Sequence, residues 1–340
     1  MNRKILEWLF IMQITYSNPM RILVTGGAGF IGSHLCERLI SDGHNVTVID
    51  NFSTGRAANL ATLESSKEFK LVEGSILDTA TLNPLIEASD YVFHLAAAVG
   101  VFNIVNNPLA SLLTNIRGTE NVLDAANATK TPVFLTSSSE VYGKNISDSL
   151  KESDDRILGS PVTLRWSYSE AKAIDESLAY AYFIEKQLET RIVRFFNTVG
   201  PRQLGAYGMV VPRFVKAAIA NEPIAIYGDG NQTRCFAHVH DVIDAVLAIA
   251  FAGNTIGKVI NIGNDYEISI NDLAKKIIDE TGSKSEMVYV PYAEAYGDGF
   301  EDMERRVPNI DLINQLVGWK PKRNLSTMIA DISTEMKKIS

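Results

Sequence analysis

Strand-like and helical stretches alternate from residue 20 to residue 197, and this rhythm constrains the fold more than any other feature. RILVTG, residues 21–26, is a short aliphatic and β-branched run closed by glycine, the pattern of a buried parallel strand. FIGSHLCERLISDG then spaces its apolar residues for a helix and stops at Gly43. NVTVID, FKLVEG, YVFHLA, PVFLTSS and TRIVRFFN read as further strands. TLNPLIEA and residues 108–128 and 169–185 read as helices. Strands alternating with helices require crossover connections, so the expected class is α/β, a Rossmann doubly wound parallel sheet. After Asn197 the chain becomes richer in glycine, proline and charge, interrupted by an apolar helix (VHDVIDAVLAIAFAG) and a strand (KVINIG). The expected organisation is an extension over 1–19, a Rossmann domain over 20–197, and a smaller interleaved lobe over 198–340. That lobe returns one strand, at about 258–263, to the sheet.

Composition narrows the partners. The 340 residues carry 32 Lys and Arg against 40 Asp and Glu, a formal charge of −8. A duplex backbone rewards a basic face, so nucleic acid is excluded as the main partner. Cys36 and Cys235 are too few for a disulfide framework or a zinc site, which fits a reducing cytoplasm. MNRKILEWLFIMQITYSNP begins basic and apolar, but Glu7 interrupts the run and no small-residue cleavage site follows. The run falls far short of the ~20 apolar residues that span a bilayer. It reads as an upstream start or loose extension before Met20, with no membrane partner expected.

TGGAGFIG, residues 25–32, joins the first strand to the first helix. Gly26 permits a tight turn, Gly29 lets backbone approach a pyrophosphate, and Gly32 lets helix pack on strand. The helix N-terminus then faces the phosphates. Asp50 closes the second strand, where a carboxylate binds both ribose hydroxyls and repels a 2′-phosphate. The expected cofactor is NAD; Arg56 nearby is the residue type that serves NADP instead. SYSEAK places Tyr168 and Lys172 at i and i+4 on one helix face. A neighbouring ammonium lowers a phenol from its usual ~10, which makes a base for a sugar hydroxyl.

With these motifs in hand, the chain from about Met20 onward resembles the extended short-chain dehydrogenase/reductases, in the group of NAD-dependent nucleotide-sugar epimerases, dehydratases and decarboxylases. The resemblance rests on TGGAGFIG, Asp50, HLAA (residues 94–97), SSSEVYG (residues 137–143), Tyr168 with Lys172, RFFNTVGPR, YGDGNQTRCF and RRVPNI. It implies cofactor contacts from Gly26, Gly29, Phe30, Ile31, Gly32, Asp50, Asn51, Ser75, Ile76, Leu95, Ala96, Ala97, Tyr168 and Lys172. It implies that Ser138 binds the reacting hydroxyl. It places Asn197, Val211, Tyr227, Arg234, and Arg305 or Arg306, on the nucleotide-sugar, which is expected to be UDP-linked. Ser75 stands where the family often has an aspartate. The resemblance also implies a homodimer built on two helices, with Leu112, Val122, Leu123, Leu178 and Tyr182 as apolar candidates for that face or for packing on the sheet. His238, His240 and Asp241 are read as a supporting helix start, and no metal site is assigned.

Glu140 divides the possible reactions. Family 4-epimerases usually carry a small or hydroxyl residue there, and glucose-type 4,6-dehydratases resemble Asp-Glu, whereas this chain has Ser139-Glu140. Mannose-type dehydratases and UDP-glucuronate decarboxylases resemble Ser-Glu. Arg165 and EDMERRVPNI also resemble the decarboxylases; RWSYSEAK and GMVVPRF depart from them. The leading expectation is a UDP-glucuronate decarboxylase of the UDP-xylose-forming type. A UDP-glucose or UDP-hexuronate 4-epimerase follows, then a nucleotide-sugar 4,6-dehydratase. A non-catalytic NAD-binding regulator has no need of Ser138, Tyr168 and Lys172. A substrate carboxylate facing Glu140 is expected to raise its pKa, making it a hydrogen-bond donor or proton relay.

Overall fold

The computed structural model describes residues 18–339 except 101–103, 105, 204, 206–208, 293, 295–302 and 304. Residues 1–17 of the expected extension, and residues 301, 302 and 304 of EDMERRVPNI, lie outside the described residues.

The alternation builds one seven-stranded parallel sheet. Its strands are β1 (Arg21–Thr25), β2 (Asn45–Asp50), β3 (Phe69–Glu73), β4 (Tyr91–His94), β5 (Val133–Ser138), β6 (Thr190–Phe195) and β7 (Val259–Ile262), in the order β7-β6-β5-β4-β1-β2-β3. Its helices are α1 (Phe30–Ser41), α2 (Thr79–Glu87), α3 (Pro108–Thr129) and α4 (Ser167–Lys186), followed by α5 (Val210–Ala220) and α6 (Val239–Ala250). The last three are α7 (Ile270–Thr281), α8 (Asp311–Val317) and α9 (Leu325–Ile339).

Both faces of the sheet are buried except at the edge strand β3, so its inner strands are apolar on both sides. Leu23, Val92, Val133, Leu135 and Ile192 pack under α2, α3 and α4. Ile22, Val24, Phe93, Phe134, Val193 and Ile260 pack under α1, α6 and α8. A second core joins Val211, Phe214 and Val215 of α5 to α7, α9 and the short strand Ile224–Tyr227. Val122 and Leu123 are fully buried in the sheet core, with Leu178 and Tyr182 packed against it, so these four serve the monomer's own packing. The exposed apolar residues of α4 are Ile174, Tyr180 and Ile184.

Register brings the chemistry to one edge. Thr25 pairs with His94, and Ser138 with Phe195, so the carboxyl ends of β1, β4, β5 and β6 are aligned. Strand order reverses beside β1, and ligands of such sheets bind at that crevice. His238 caps α6 by accepting the His240 backbone N–H at 3.1 Å, and its Nε2 lies 3.2 Å from Asp331. Among the described residues, no helix is long and apolar enough to cross a membrane.

Candidate active site

A cleft of about 490 Å³ runs across the strand ends to the second core. Of the candidate catalytic, cofactor-binding and substrate-binding residues read from the sequence, all but Arg305 line it. Arg305 instead makes a bidentate pair with Glu267, 2.7 and 2.8 Å, on the half-exposed flank.

The glycine loop is built as its spacing demands. Gly26 has φ +73°, and its Cβ would lie 2.7 Å from the Ala96 nitrogen. A Cβ on Gly32 would lie 2.3 Å from the Gly26 carbonyl oxygen. A Cβ on Gly29 would meet only that same oxygen, at 3.1 Å, so this glycine leaves a cradle that a side chain would fill. Asp50 accepts backbone N–H bonds from Ala28 at 2.9 Å and Phe52 at 2.8 Å. Burial raises its pKa, opposed by those two bonds. Arg56 is turned toward Asn59, 3.3 Å away. Cradle, helix N-terminus and ribose-end carboxylate fit a dinucleotide.

SSSEVYG leaves β5 and enters a 3-10 turn, Ser139–Tyr142, capped by the Ser138 hydroxyl, which accepts the Glu140 N–H at 3.2 Å. The turn aims Glu140 into the cleft. One carboxylate oxygen lies 2.6 Å from Arg165 Nη1, and the other 2.8 Å from Arg306 Nη1. Arg306 Nη1 also donates to Ser139 Oγ at 3.3 Å. Both arginines are buried. Burial works to raise the Glu140 pKa, but the two guanidinium charges and their hydrogen bonds outweigh it and bring it down to about 2. The two cations therefore favour an ionised Glu140, a pull opposite to the upward shift expected from a facing substrate carboxylate. That expectation weighed a substrate charge without the two cations that chain folding delivers.

Tyr168 and Lys172 share α4, as their spacing requires. Lys172 is buried and donates to the Thr136 carbonyl and to Asp175, each at 3.1 Å. The Tyr168 phenol is pushed up rather than down, by burial first and then by the Glu140 and Asp175 charges; a bond with Ser138 opposes this. Lysine spacing alone did not reveal that an aspartate takes the ammonium. The i+7 position of Asp175 from Tyr168 was the available signal.

At the opposite end, Asn197 donates its amide N–H to the Cys235 carbonyl at 3.0 Å, and buried Arg234 donates to the Thr233 carbonyl at 2.8 Å. Arg213, not singled out in the sequence, places its guanidinium carbon 3.8 Å from the Tyr227 ring centroid. Among the described residues, its buried Nε and Nη1 have no hydrogen-bond partner. A cation inside the apolar run VVPRFV was the sequence signal.

Comparison with known proteins shows the family. The family model described as GDP-mannose 4,6 dehydratase matches residues 23–332. The chain belongs to that family, the extended short-chain dehydrogenase/reductases that modify nucleotide sugars, and it is an enzyme of their epimerase, dehydratase and decarboxylase group. Among its relatives is a UDP-N-acetyl-alpha-D-glucosaminuronate decarboxylase of Bacillus cytotoxicus, 40% identical over 88% of this chain and 92% of the relative. UDP-glucuronic acid decarboxylase 1 of Xenopus tropicalis is 36% identical over 88% of this chain and 68% of its own. The UDP-glucuronic acid 4-epimerase of Bacillus cereus, solved with UDP-glucuronic acid and NAD, superposes with a TM-score of 0.85 at 30% identity. That match covers 94% of this chain and 100% of the epimerase.

Proposed function

We propose that the protein decarboxylates a UDP-linked hexuronate through a transient 4-keto sugar. The observation that carries this reading is the convergence of two buried guanidinium groups, Arg165 and Arg306, on the single carboxylate of Glu140. Two guanidinium groups at the sugar end of the cleft supply planar, charged donors, and a ring carboxylate is a substrate group that such donors bind. A 4-epimerase acting on a neutral hexose needs no such pair.

Bound NAD supplies hydride acceptance at C4 and its return to the same carbon. Tyr168 takes the C4 hydroxyl proton, with Ser138 bonded to the same oxygen. The C4 ketone then lies β to the carboxylate. The C5–C6 bond breaks, its electrons pass into the C4 carbonyl, CO₂ leaves, and C5 gains one proton. Ionised Glu140 orders the arginines and is not the proton source at neutral pH. Asp50 beside the glycine loop supports NAD over its 2′-phosphorylated form. Arg213 and Arg234 supply the cations for the nucleotide diphosphate, a place that Arg305 does not take. A homodimer is included in this reading, supported by exposed Leu109, Ile174, Tyr180 and Ile184 on α3 and α4.

The relatives supply two candidate sugars, one with a C2 hydroxyl and one with a C2 acetamido group. The test is mass spectrometry of the sugar nucleotide after incubation with NAD and each UDP-uronate. Loss of one CO₂ from either is expected; an unchanged mass with altered retention would make the enzyme a 4-epimerase.

A further inference from the structure

The catalytic helix carries a third residue on the face that holds its base. Tyr168, Lys172 and Asp175 stand at i, i+4 and i+7, and these positions fall in one narrow stripe of an α-helix. The stripe points at the end of β5, where Thr136 and Ser138 lie. Asp175 is fully buried, and Lys172 is nearly so. Burying an isolated carboxylate is very costly, so its partner is held strongly. That partner is Lys172, at 3.1 Å, and the remaining carboxylate oxygen is buried with no close hydrogen bond among the described residues. The Thr119 hydroxyl on α3 also favours the ionised form of the Asp175 carboxyl.

Behind Asp175 a buried polar chain leads to the cofactor loop. Thr119 Oγ1 lies 3.1 Å from His94 Nε2, and His94 Nδ1 lies 2.7 Å from Thr25 Oγ1, which accepts the Ala96 N–H at 3.1 Å. Burial holds the imidazole neutral, its pKa down to about 3. A neutral ring donates to one of these hydroxyls and accepts from the other, in either tautomer.

We propose that Asp175 is a positioning residue that pins Lys172 and cancels its charge at Tyr168, so that three residues of one stripe, not two, set the strength of the base. The proposal rests on the assignment of Tyr168 as the C4 base. The charged groups around the phenol are Glu140 from the turn after β5, backed by Arg165 and Arg306, and Lys172 and Asp175 from α4. Glu176, also on α4, is taken up by Arg194 at 2.7 Å. Removing the Asp175 charge leaves Lys172 as an uncompensated cation beside the phenol.

The test is the pH dependence of C4 oxidation, read as the transient NADH absorbance after mixing the NAD-loaded enzyme with a UDP-sugar. In Asp175→Asn the acid limb is expected to move down by about one pH unit, equivalent to about tenfold faster oxidation on that limb. Asp175→Glu, which keeps the charge, is expected to retain the wild-type limb. Thr119→Val removes a hydroxyl without changing charge and is also expected to leave it in place. Asp175→Ser is the second neutral variant should the amide not be accommodated. An ultraviolet phenolate titration, taken as the difference between each protein and its Tyr168→Phe counterpart, reads the same shift without turnover. A limb and a phenolate titration that stay in place in a folded neutral variant overturn the proposal. A wild type that shows no NADH transient with any UDP-sugar overturns the functional reading instead, and the phenolate titration still decides this one.

Discussion

Each end of the cleft turns on a few side chains whose partners define their chemistry. Tyr168→Phe removes the phenolic oxygen proposed to take the C4 proton. Turnover is expected to fall by about a thousandfold while dinucleotide binding, read by equilibrium dialysis, stays near wild type. Glu140 makes a pH prediction. Its carboxyl titrates at about 2 in the folded chain against an ordinary 4.5. A depressed carboxylate stabilises the fold fully above its unfolded value and loses that stabilisation as pH falls through the folded value. Between about pH 5 and pH 2 the wild type therefore loses on the order of a few kcal/mol that Glu140→Gln does not lose, and denaturant titrations across that window measure it. At the nucleotide end, Arg213→Leu removes two buried donors. UDP binding by calorimetry is expected to weaken by about tenfold or more, with uridine affected far less. Equal losses for UDP and uridine would place Arg213 on the base and not on the diphosphate.

Among the elements, the strand, turn and helix from β1 to α1 were legible because their requirements are steric and local. Gly32→Ala would drive a Cβ to 2.3 Å from the Gly26 carbonyl. Loss of dinucleotide binding and a fall in thermal stability are the expected results, read by dialysis and calorimetry. The helices were legible for a similar reason, since their apolar periodicity survives tertiary packing: α3 and α4 run over Pro108–Thr129 and Ser167–Lys186, close to the spans read from sequence. What periodicity did not separate was which apolar stripe faces the sheet. Val122 and Leu123 are in the core because α3 lies on the sheet between α2 and α4, a long-range fact absent from local pattern. Likewise Arg305 and Arg306 are adjacent in sequence but diverge, one to Glu267 on the flank and one to Glu140 in the cleft.

For the whole molecule, the α/β class followed from strand and helix alternation, since parallel strands demand crossovers. The gathering of strand ends into one site followed too, because β1, β4, β5 and β6 share a direction. The electrostatics of that site were not legible. Glu140 meets Arg165 from a turn before α4 and Arg306 from beyond α7, more than a hundred residues downstream in sequence. Charge pairs of that separation leave no periodic trace, and they decide the ionisation of Glu140. We propose that this charge arrangement serves the loss of a carboxylate from C5. Proton NMR of the product formed from UDP-uronate in deuterated water tests it most directly. The expected product is a sugar without its carboxyl carbon and with one solvent deuterium at C5. A product that keeps both its carboxylate and its original C5 hydrogen, inverted at C4, would contradict it.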